Sequence, residues 1–277
     1  MKILIADSGF TKTDWRVIDD KGDISQAKTE GINPYYQSEE EILREIQNLH
    51  NQVPEKIDRI HYYGTGCSSA HNREKIAKLL KRYYPHAEIE VNHDLLAAAR
   101  SLCGEQPGIA CIIGTGTNSC SYDGQNIEDN VPSLGWAVAD EGGGTYLGKT
   151  MLTDYYRKDI PEHLRKTFKE EFELTRDGFL NKMYQEPMPG RFLASFAKFI
   201  GKHINDPYMY NLVAHGFDLF LTKNVLKYKD CKDLPVHFTG SVAYYFGDIL
   251  RNVAQEKGLH IKHITQQPIA GLTLFHQ

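Results

Sequence analysis

The chain has 277 residues and a mass of 31.5 kDa, which at roughly 150 residues per domain points to about two domains, each with room for its own core. Its hydrophobic content of 41% and charged content of 25% fit a soluble globular protein and exclude disorder as the main state. A net charge of -4 supplies no strong positive field, so neither a nucleic-acid backbone nor an anionic membrane is expected as the main partner.

The first elements read as a hairpin. Lys2–Ala6 is a short apolar strand, Asp7-Ser8-Gly9-Phe10-Thr11 a tight turn, and Thr13–Ile18 the returning strand. Asp7 interrupts the apolar run too early for a signal peptide. Ile24–Thr29 reads as a third strand. Ile42, Leu43, Ile46 and Leu49 recur at helical spacing over Glu39–Asn51, with Ser38 as N-cap. Ile57–Tyr63 reads as a strand, Asn72–Tyr84 as an amphipathic helix whose lysines form a solvated face, and Ile89–Val91 as a short strand. Asp94, read as an N-cap, opens the Ala-rich helix Leu95–Leu102.

A second hairpin follows. Ile109–Ile113 is a buried-type strand, too short for a bilayer span, and Gly114-Thr115-Gly116-Thr117 is its turn. Asn118–Tyr122 returns and ends at Asp123-Gly124, a hairpin-turn pair. Gly9 and Gly116 occupy equivalent places, so one architecture occurs twice. The expected domains are residues 1–107 and 108–277. The second is more helical: Gly144 to Tyr156, Glu162–Phe172, Phe192–His203, Met209–Tyr228 and Ala243–Lys257 carry helical spacing. Val236–Thr239 and His260–Ile264 read as strands, and Pro268 starts a terminal helix. The five cysteines form no C-x-x-C pair, and their odd number fits reduced thiols in a cytoplasm.

Gly143-Gly144-Thr145-Tyr146-Leu147-Gly148-Lys149-Thr150 satisfies the P-loop pattern G-x-x-x-x-G-K-S/T. An acidic, Gly-rich segment precedes it where a P-loop needs an apolar strand, so the match reads as a coincidence, with Lys149 on an exposed helix face. The paired glycine hairpins are better phosphate candidates. Such turns aim successive N–H groups at one anion; Ser8, Gly9, Thr11, Lys12 and Thr13 form one, and Gly114, Thr115, Gly116 and Thr117 the other. Asp7 is a candidate Mg²⁺ ligand, since hard cations prefer oxygen; its ordinary alternative is an Asx-turn. Asp140-Glu141 read otherwise as the acidic first turn of a helix. Gly240-Ser241-Val242 follows a strand and is a candidate nucleoside seat. Gly64-Thr65-Gly66-Cys67-Ser68 resembles a nucleophile elbow only loosely.

In this order the blocks resemble the actin/Hsp70/sugar kinase superfamily, and within it the BadF/BadG/BcrA/BcrD-type ATPase family that contains N-acetylglucosamine kinase. Asp7-Ser8-Gly9-Phe10-Thr11-Lys12-Thr13 resembles the first phosphate motif D-G-G-G-T-K-T, with Ser8 and Phe10 replacing two glycines. Asn92-His93-Asp94 resembles the segment with the catalytic Asp, and Gly114–Ser119 the second phosphate motif. Gly135-Trp136 with Asp140-Glu141-Gly142 is similar to G-G-W-G…G-D-E-G-S, where Ala139 replaces a glycine. Thr239–Val242 resembles the adenosine motif, and Ala270-Gly271 the closing interdomain motif.

The resemblance implies an α/β fold of two duplicated ribonuclease H-like, actin-like ATPase domains with an interdomain nucleotide and sugar cleft. It implies transfer of phosphate from ATP, with Mg²⁺, to an amino sugar, N-acetylglucosamine at the 6-hydroxyl. Asp94 would be the general base. Asn33, Trp136 and Asp140 would bind the sugar, and Asp7 would hold the metal. Gly240, Ser241 and Val242 would seat the adenosine. Dimers are common in that family, which leaves a homodimer open here. Two other readings stand beside the kinase: an ATPase that energises a dehydratase, and an actin-like nucleotide switch without kinase activity. Cys111, in Cys111-Ile112-Ile113-Gly114, bears on the first, although its strand setting reads as a buried structural thiol.

Overall fold

The computed structural model describes residues 1–9, 11–54 and 56–277. Phe10, part of the first motif, lies outside the described residues, as does Glu55. The chain forms two compact units: Met1–Gln106 with Gly124–Asn126 and Gln267–Gln277, and Pro107–Asp123 with Ile127–Gln266. The seam between the units lies at Gln106 and Pro107, just before β6. The structure further assigns the last eleven residues to the first unit.

The first unit is built on β1 (Ile3–Ser8), β2 (Lys12–Ile18), β3 (Ile24–Glu30), β4 (Arg59–Gly64) and β5 (Glu88–His93). Their order is β3-β2-β1-β4-β5. The hairpin pairs are antiparallel, whereas β1–β4 and β4–β5 are parallel. Alternation along β1 sends Leu4 and Ala6 to one face and Ile3 and Ile5 to the other. The first face packs with Trp15, Ile60 and Tyr62 under helices α1 (Glu39–Gln52) and α2 (Ala70–Lys81). α1 starts at a capping box in which Ser38 and Glu41 satisfy each other's backbone N–H groups. The second face packs with Tyr63 and with Ala97 of α3 (Asp94–Cys103).

The second unit repeats the plan with β6 (Gly108–Ile113), β7 (Thr117–Tyr122), β8 (Ile127–Asp129), β9 (Val236–Thr239) and β10 (Ile261–Thr265). Read from its β8 edge, the order is β8-β7-β6-β9-β10, with β6–β7 and β7–β8 antiparallel and β6–β9 and β9–β10 parallel. The two sheets therefore share one topology, and the fold is a duplication of a ribonuclease H-like, actin-like ATPase domain. Its helices are α4 (Gly144–Arg157), α5 (Glu162–Phe172), α6 (Arg176–Tyr184), α7 (Pro189–Ser195), α8 (Ala197–Lys202), α9 (Pro207–Lys223), α10 (Ser241–Tyr245) and α11 (Gly247–Glu256). Their apolar faces close one core over Ile109, Cys111, Ile113, Val236 and Phe238. The chain ends with α12 (Ile269–Phe275), whose Ile269 and Leu272 join the second face of the first sheet. Gly271 lets α12 approach α3: a Cβ there would stand 2.3 Å from Ser101 O.

Three helices of the second unit differ from their sequence readings. The stretch 192–203 is two helices meeting at Phe196, beside Ser195, whose hydroxyl donates to Phe192 O at 2.6 Å. Residues 243–257 break between α10 and α11, where Gly247 weakens helix continuity. The helix read over 209–228 starts at Pro207 under an Asp206 cap and stops at Lys223, followed by a 3₁₀ turn over Val225–Lys227. β8 and α6 were absent from the sequence reading: β8 is a short Ile-Glu-Asp strand, and α6 buries none of its residues, so neither has a marked apolar period. No helix among the described residues is long and apolar enough to cross a membrane.

Candidate functional site

In the first unit the residues of interest gather where β1, β4 and β5 end. Asp7 is the penultimate residue of β1, opposite Asp14 on β2 and Tyr63 on β4. The hairpin is closed by Gly9 N–H donating to Lys12 O at 3.0 Å. The hydroxyls of Ser8 and Thr13 are buried and lie 2.8 Å apart. Ser8 Oγ also accepts from Ile32 N–H at 3.2 Å, and Thr13 Oγ1 donates to Glu30 O at 3.1 Å. These two side chains thus tie the hairpin to the segment leading into Asn33. Thr11 is exposed, and its carbonyl accepts from Gly31 N–H at 3.2 Å.

Asn33 is buried. Its Oδ1 accepts from Tyr35 N–H at 3.0 Å, and its own N–H donates to Gln37 Oε1 at 2.7 Å. Gly66, at φ +77°, packs on that Oδ1: a Cβ would come within 2.6 Å. Thr65, between Gly64 and Gly66, donates its N–H to Ser8 O at 2.9 Å and hydrogen-bonds the Asp94 carboxylate through its side chain. The loop after β4 therefore links Asn33 to Asp94. In the sequence Thr65 stands only within the loose nucleophile-elbow resemblance; the signal for its place here is that Gly64-Thr65-Gly66 repeats the tripeptide Gly114-Thr115-Gly116.

Asp94 is not the cap of α3. His93 fills that place, its Nδ1 accepting from Leu96 N–H at 3.3 Å. Asp94 is the first helical residue, and its carboxylate is left to bond Thr65 and the N–H of Leu95. Burial raises its pKa above the ordinary carboxylate value, against the opposing effects of His93 and these donors. The pKa of Asp7 is raised to about 7 by burial and then by the charges of Asp14 and Asp94, with Lys12 opposing. Burial lowers the pKa of His93. The folded chain thus holds a proton on Asp7 that the unfolded chain loses near pH 4. Asp7 therefore costs stability progressively as pH rises from about 4 to about 7. Asp7→Asn is expected to flatten the fall of melting temperature across that window; an unchanged profile would contradict the shift.

In the second unit the turn after β6 is closed by Gly114 N–H donating to Gly116 O at 3.0 Å. Its outer carbonyls receive the start of α4: Gly144 N–H reaches Gly114 O at 2.8 Å, and Thr145 N–H reaches Thr115 O at 2.9 Å. The glycine triplet makes this docking sterically feasible. A Cβ on Gly142 would meet Gly216 O at 3.0 Å, one on Gly143 would meet Thr115 O at 3.0 Å, and one on Gly144 would meet Ala194 Cβ at 3.2 Å. By contrast, a Cβ on Gly114 would meet nothing within 4 Å, so the space beside its Cα is open although its N–H and C=O are both bonded.

The P-loop match is helix, not loop, since α4 already begins at Gly144. Lys149 is half-buried, contrary to the exposed position read from sequence, and its Nζ donates to Trp136 O at 3.3 Å. Lys149→Ala is expected to leave ATP affinity within about twofold, the small effect of a side chain outside the phosphate loops; a loss of tenfold or more in calorimetry would revive the P-loop.

Asp140-Glu141 precede α4 and do not form its first turn. Asp140 is buried at φ +65°; its carboxylate accepts from Thr117 N–H and, at 3.2 Å, from Ser133 Oγ. Burial raises its pKa. Its Oδ2 would lie 2.5 Å from a Cβ on Gly116. The structure thus brings Asp140 to the second glycine hairpin. Trp136 is half-buried and packs on Gly190, where a Cβ would meet its Cδ1 at 3.2 Å. Gly240 closes the other side of the hairpin at φ 116°, ψ 152°, and a Cβ there would stand 2.3 Å from Ile113 O. Ser241 is exposed at the start of α10, and Val242 is buried in the core.

No group of three or more His, Cys, Asp or Glu side chains among the described residues forms a metal cage. Mg²⁺ needs less: it keeps several waters and takes one or two carboxylates plus phosphate oxygens. Asp7, a buried carboxylate at the end of β1 beside the first glycine turn, fits that requirement.

A crystal structure from Porphyromonas gingivalis, of a protein provisionally named N-acetylglucosamine kinase, is 41% identical to this chain. The match covers 99% of this chain and 98% of that one, with a TM-score of 0.92. The chain belongs to the N-acetylglucosamine kinase-like branch of the BadF/BadG/BcrA/BcrD-type ATPase family. Two more distant likenesses show the fold alone. A Chromobacterium violaceum protein with the same provisional name is 16% identical, covering 100% of this chain and 99% of that one at a TM-score of 0.77. A provisional sugar kinase from Cytophaga hutchinsonii is 16% identical, covering 99% and 98% at a TM-score of 0.54. No protein-family model matches the chain, and no curated protein matches it at a significant level.

Proposed function

We propose that this chain is an ATP-dependent kinase of an amino sugar, N-acetylglucosamine, acting at the 6-hydroxyl. Membership of a kinase-like family supports phosphotransferase activity in general; the choice of sugar follows the 41% identical relative's provisional name. The observation that carries the reading is Asp94: a buried carboxylate at the start of α3, bonded to Thr65 on the loop that also packs Asn33.

In this reading Asp94 orients the sugar hydroxyl and accepts its proton late, as the new O–P bond forms and the bond to the nucleotide breaks. Its raised pKa brings it nearer the working pH, where a base both stays ionised and takes a proton. Asn33 hydrogen-bonds the sugar, with Trp136 and Asp140 as further sugar contacts. The phosphates lie on backbone N–H groups that the bonds closing the two glycine turns leave over, those of Thr115 and Gly116 in the second, and Lys12 adds charge. Gly240, Ser241 and Val242 seat the adenosine, Gly240 and Val242 through backbone. Asp7 holds Mg²⁺, which when bound offsets negative charge on the transferring phosphoryl group. Phosphorus–proton correlation NMR of the product is expected to connect the new phosphate to the protons on C6 of N-acetylglucosamine. A correlation to any other carbon's proton would overturn the 6-hydroxyl, and no phosphorylated sugar would overturn the kinase.

A further inference from the structure

Asp14 is a buried carboxylate with two lysines and no role in the reaction described above. Its side chain is 3% exposed. Lys12 Nζ lies 2.7 Å from Oδ2, and Lys28 Nζ lies 3.8 Å from Oδ1. The ladder explains the grouping. Asp14 is paired with Lys28 across β2–β3 and with Asp7 across β1–β2, and directly opposed residues share a face of the sheet. Lys12 stands two residues earlier on the same strand, hence on the same face.

Lys12 belongs to the first phosphate hairpin, and its side chain is 44% exposed. An ammonium that turns to a phosphate must loosen its contact with Asp14. That would leave a buried carboxylate beside a second one, Asp7, and an unpaired buried charge costs far more than an exposed ion pair is worth. Lys28, 67% exposed on the edge strand β3, already stands within a short side-chain movement of the other oxygen.

We infer that Lys28 is a positioning residue for nucleotide binding: it takes over Asp14 when Lys12 turns to the phosphate. Only the ion-pair partner changes; no bond or proton moves. The inference rests on the kinase reading in needing a phosphate at the first hairpin. The test uses the full chain as wild type, Lys28→Ala, Lys28→Arg, Asp14→Asn and the double variant Lys28→Ala/Asp14→Asn, with ATP titrations and steady-state kinetics on each. Lys28→Ala is expected to raise the Kd and KM for ATP about fivefold, the scale of a partly exposed ion pair, with kcat kept. Lys28→Arg keeps the wild-type values. In the Asp14→Asn background there is no carboxylate to cover, so removing Lys28 has no further effect. Unchanged ATP affinity in Lys28→Ala, or an equal loss in the Asp14→Asn background, overturns the exchange. A wild-type chain that binds no ATP overturns both the exchange and the kinase reading.

Discussion

Asp94→Asn is expected to fold with a melting temperature close to wild type and to lose at least about a hundredfold in kcat, the scale of general-base loss. The amide is isosteric with the carboxyl and keeps one oxygen to accept from the donors around it, Thr65 and Leu95 N–H among them. What it cannot do is take a proton. KM for ATP is expected to move little, because the nucleotide's contacts are assigned to other residues. The helix cap is untouched, since it belongs to His93. Full kcat in a folded Asp94→Asn protein would remove Asp94 from the chemistry; a collapse of melting temperature would make its role structural.

Gly240→Ala carries the second large effect. At φ 116° and ψ 152° the backbone lies in a region open essentially to glycine alone, and the added methyl would sit 2.3 Å from Ile113 O. The obstacle is the Ile113–Gly114 peptide unit, whose nitrogen also lies 3.1 Å away, so no side chain can give way. The strain is expected to cost about 3 kcal/mol of stability, with ATP affinity falling by tenfold or more as the Gly114 turn is pushed aside. Thermal melting and calorimetric titration of the folded fraction read the two effects separately. Gly116→Ala makes a useful contrast. Its Cβ would meet a side-chain oxygen, Asp140 Oδ2, which can withdraw, so stability should suffer less. A Gly240→Ala protein as stable as wild type, with normal ATP affinity, would contradict the close approach of these two loops.

Much of the fold was legible because the duplication leaves a local trace. Each half opens with an apolar strand, a glycine turn and a returning strand, and the strand orders turn out to match. Gly9 and Gly114–Gly116 could be assigned to turns because glycine turns are written within a few residues. Other features depend on distant partners and carried no local sign. Thr65 matters because Asp94 bonds it, and Asp14 because Lys28 opposes it across a ladder. The placement of Asp140 against Gly116 needs a left-handed backbone at a non-glycine residue, which composition does not reveal. Ser8 and Thr13 match a phosphate motif, yet their hydroxyls are buried in bonds to each other and to the backbone. The motif located the loop but not which of its atoms face outward. The resemblance to a kinase family was carried by the order of blocks, and the 41% identical relative established the membership.

The central claim is that a sugar hydroxyl receives the phosphate. Its most direct test is ADP release from Mg-ATP by the purified chain, measured against a panel of free hexoses and amino sugars. The account predicts slow turnover alone and a strong stimulation by N-acetylglucosamine, lost in Asp94→Asn. ATP binding with no sugar-stimulated turnover across the panel would contradict it.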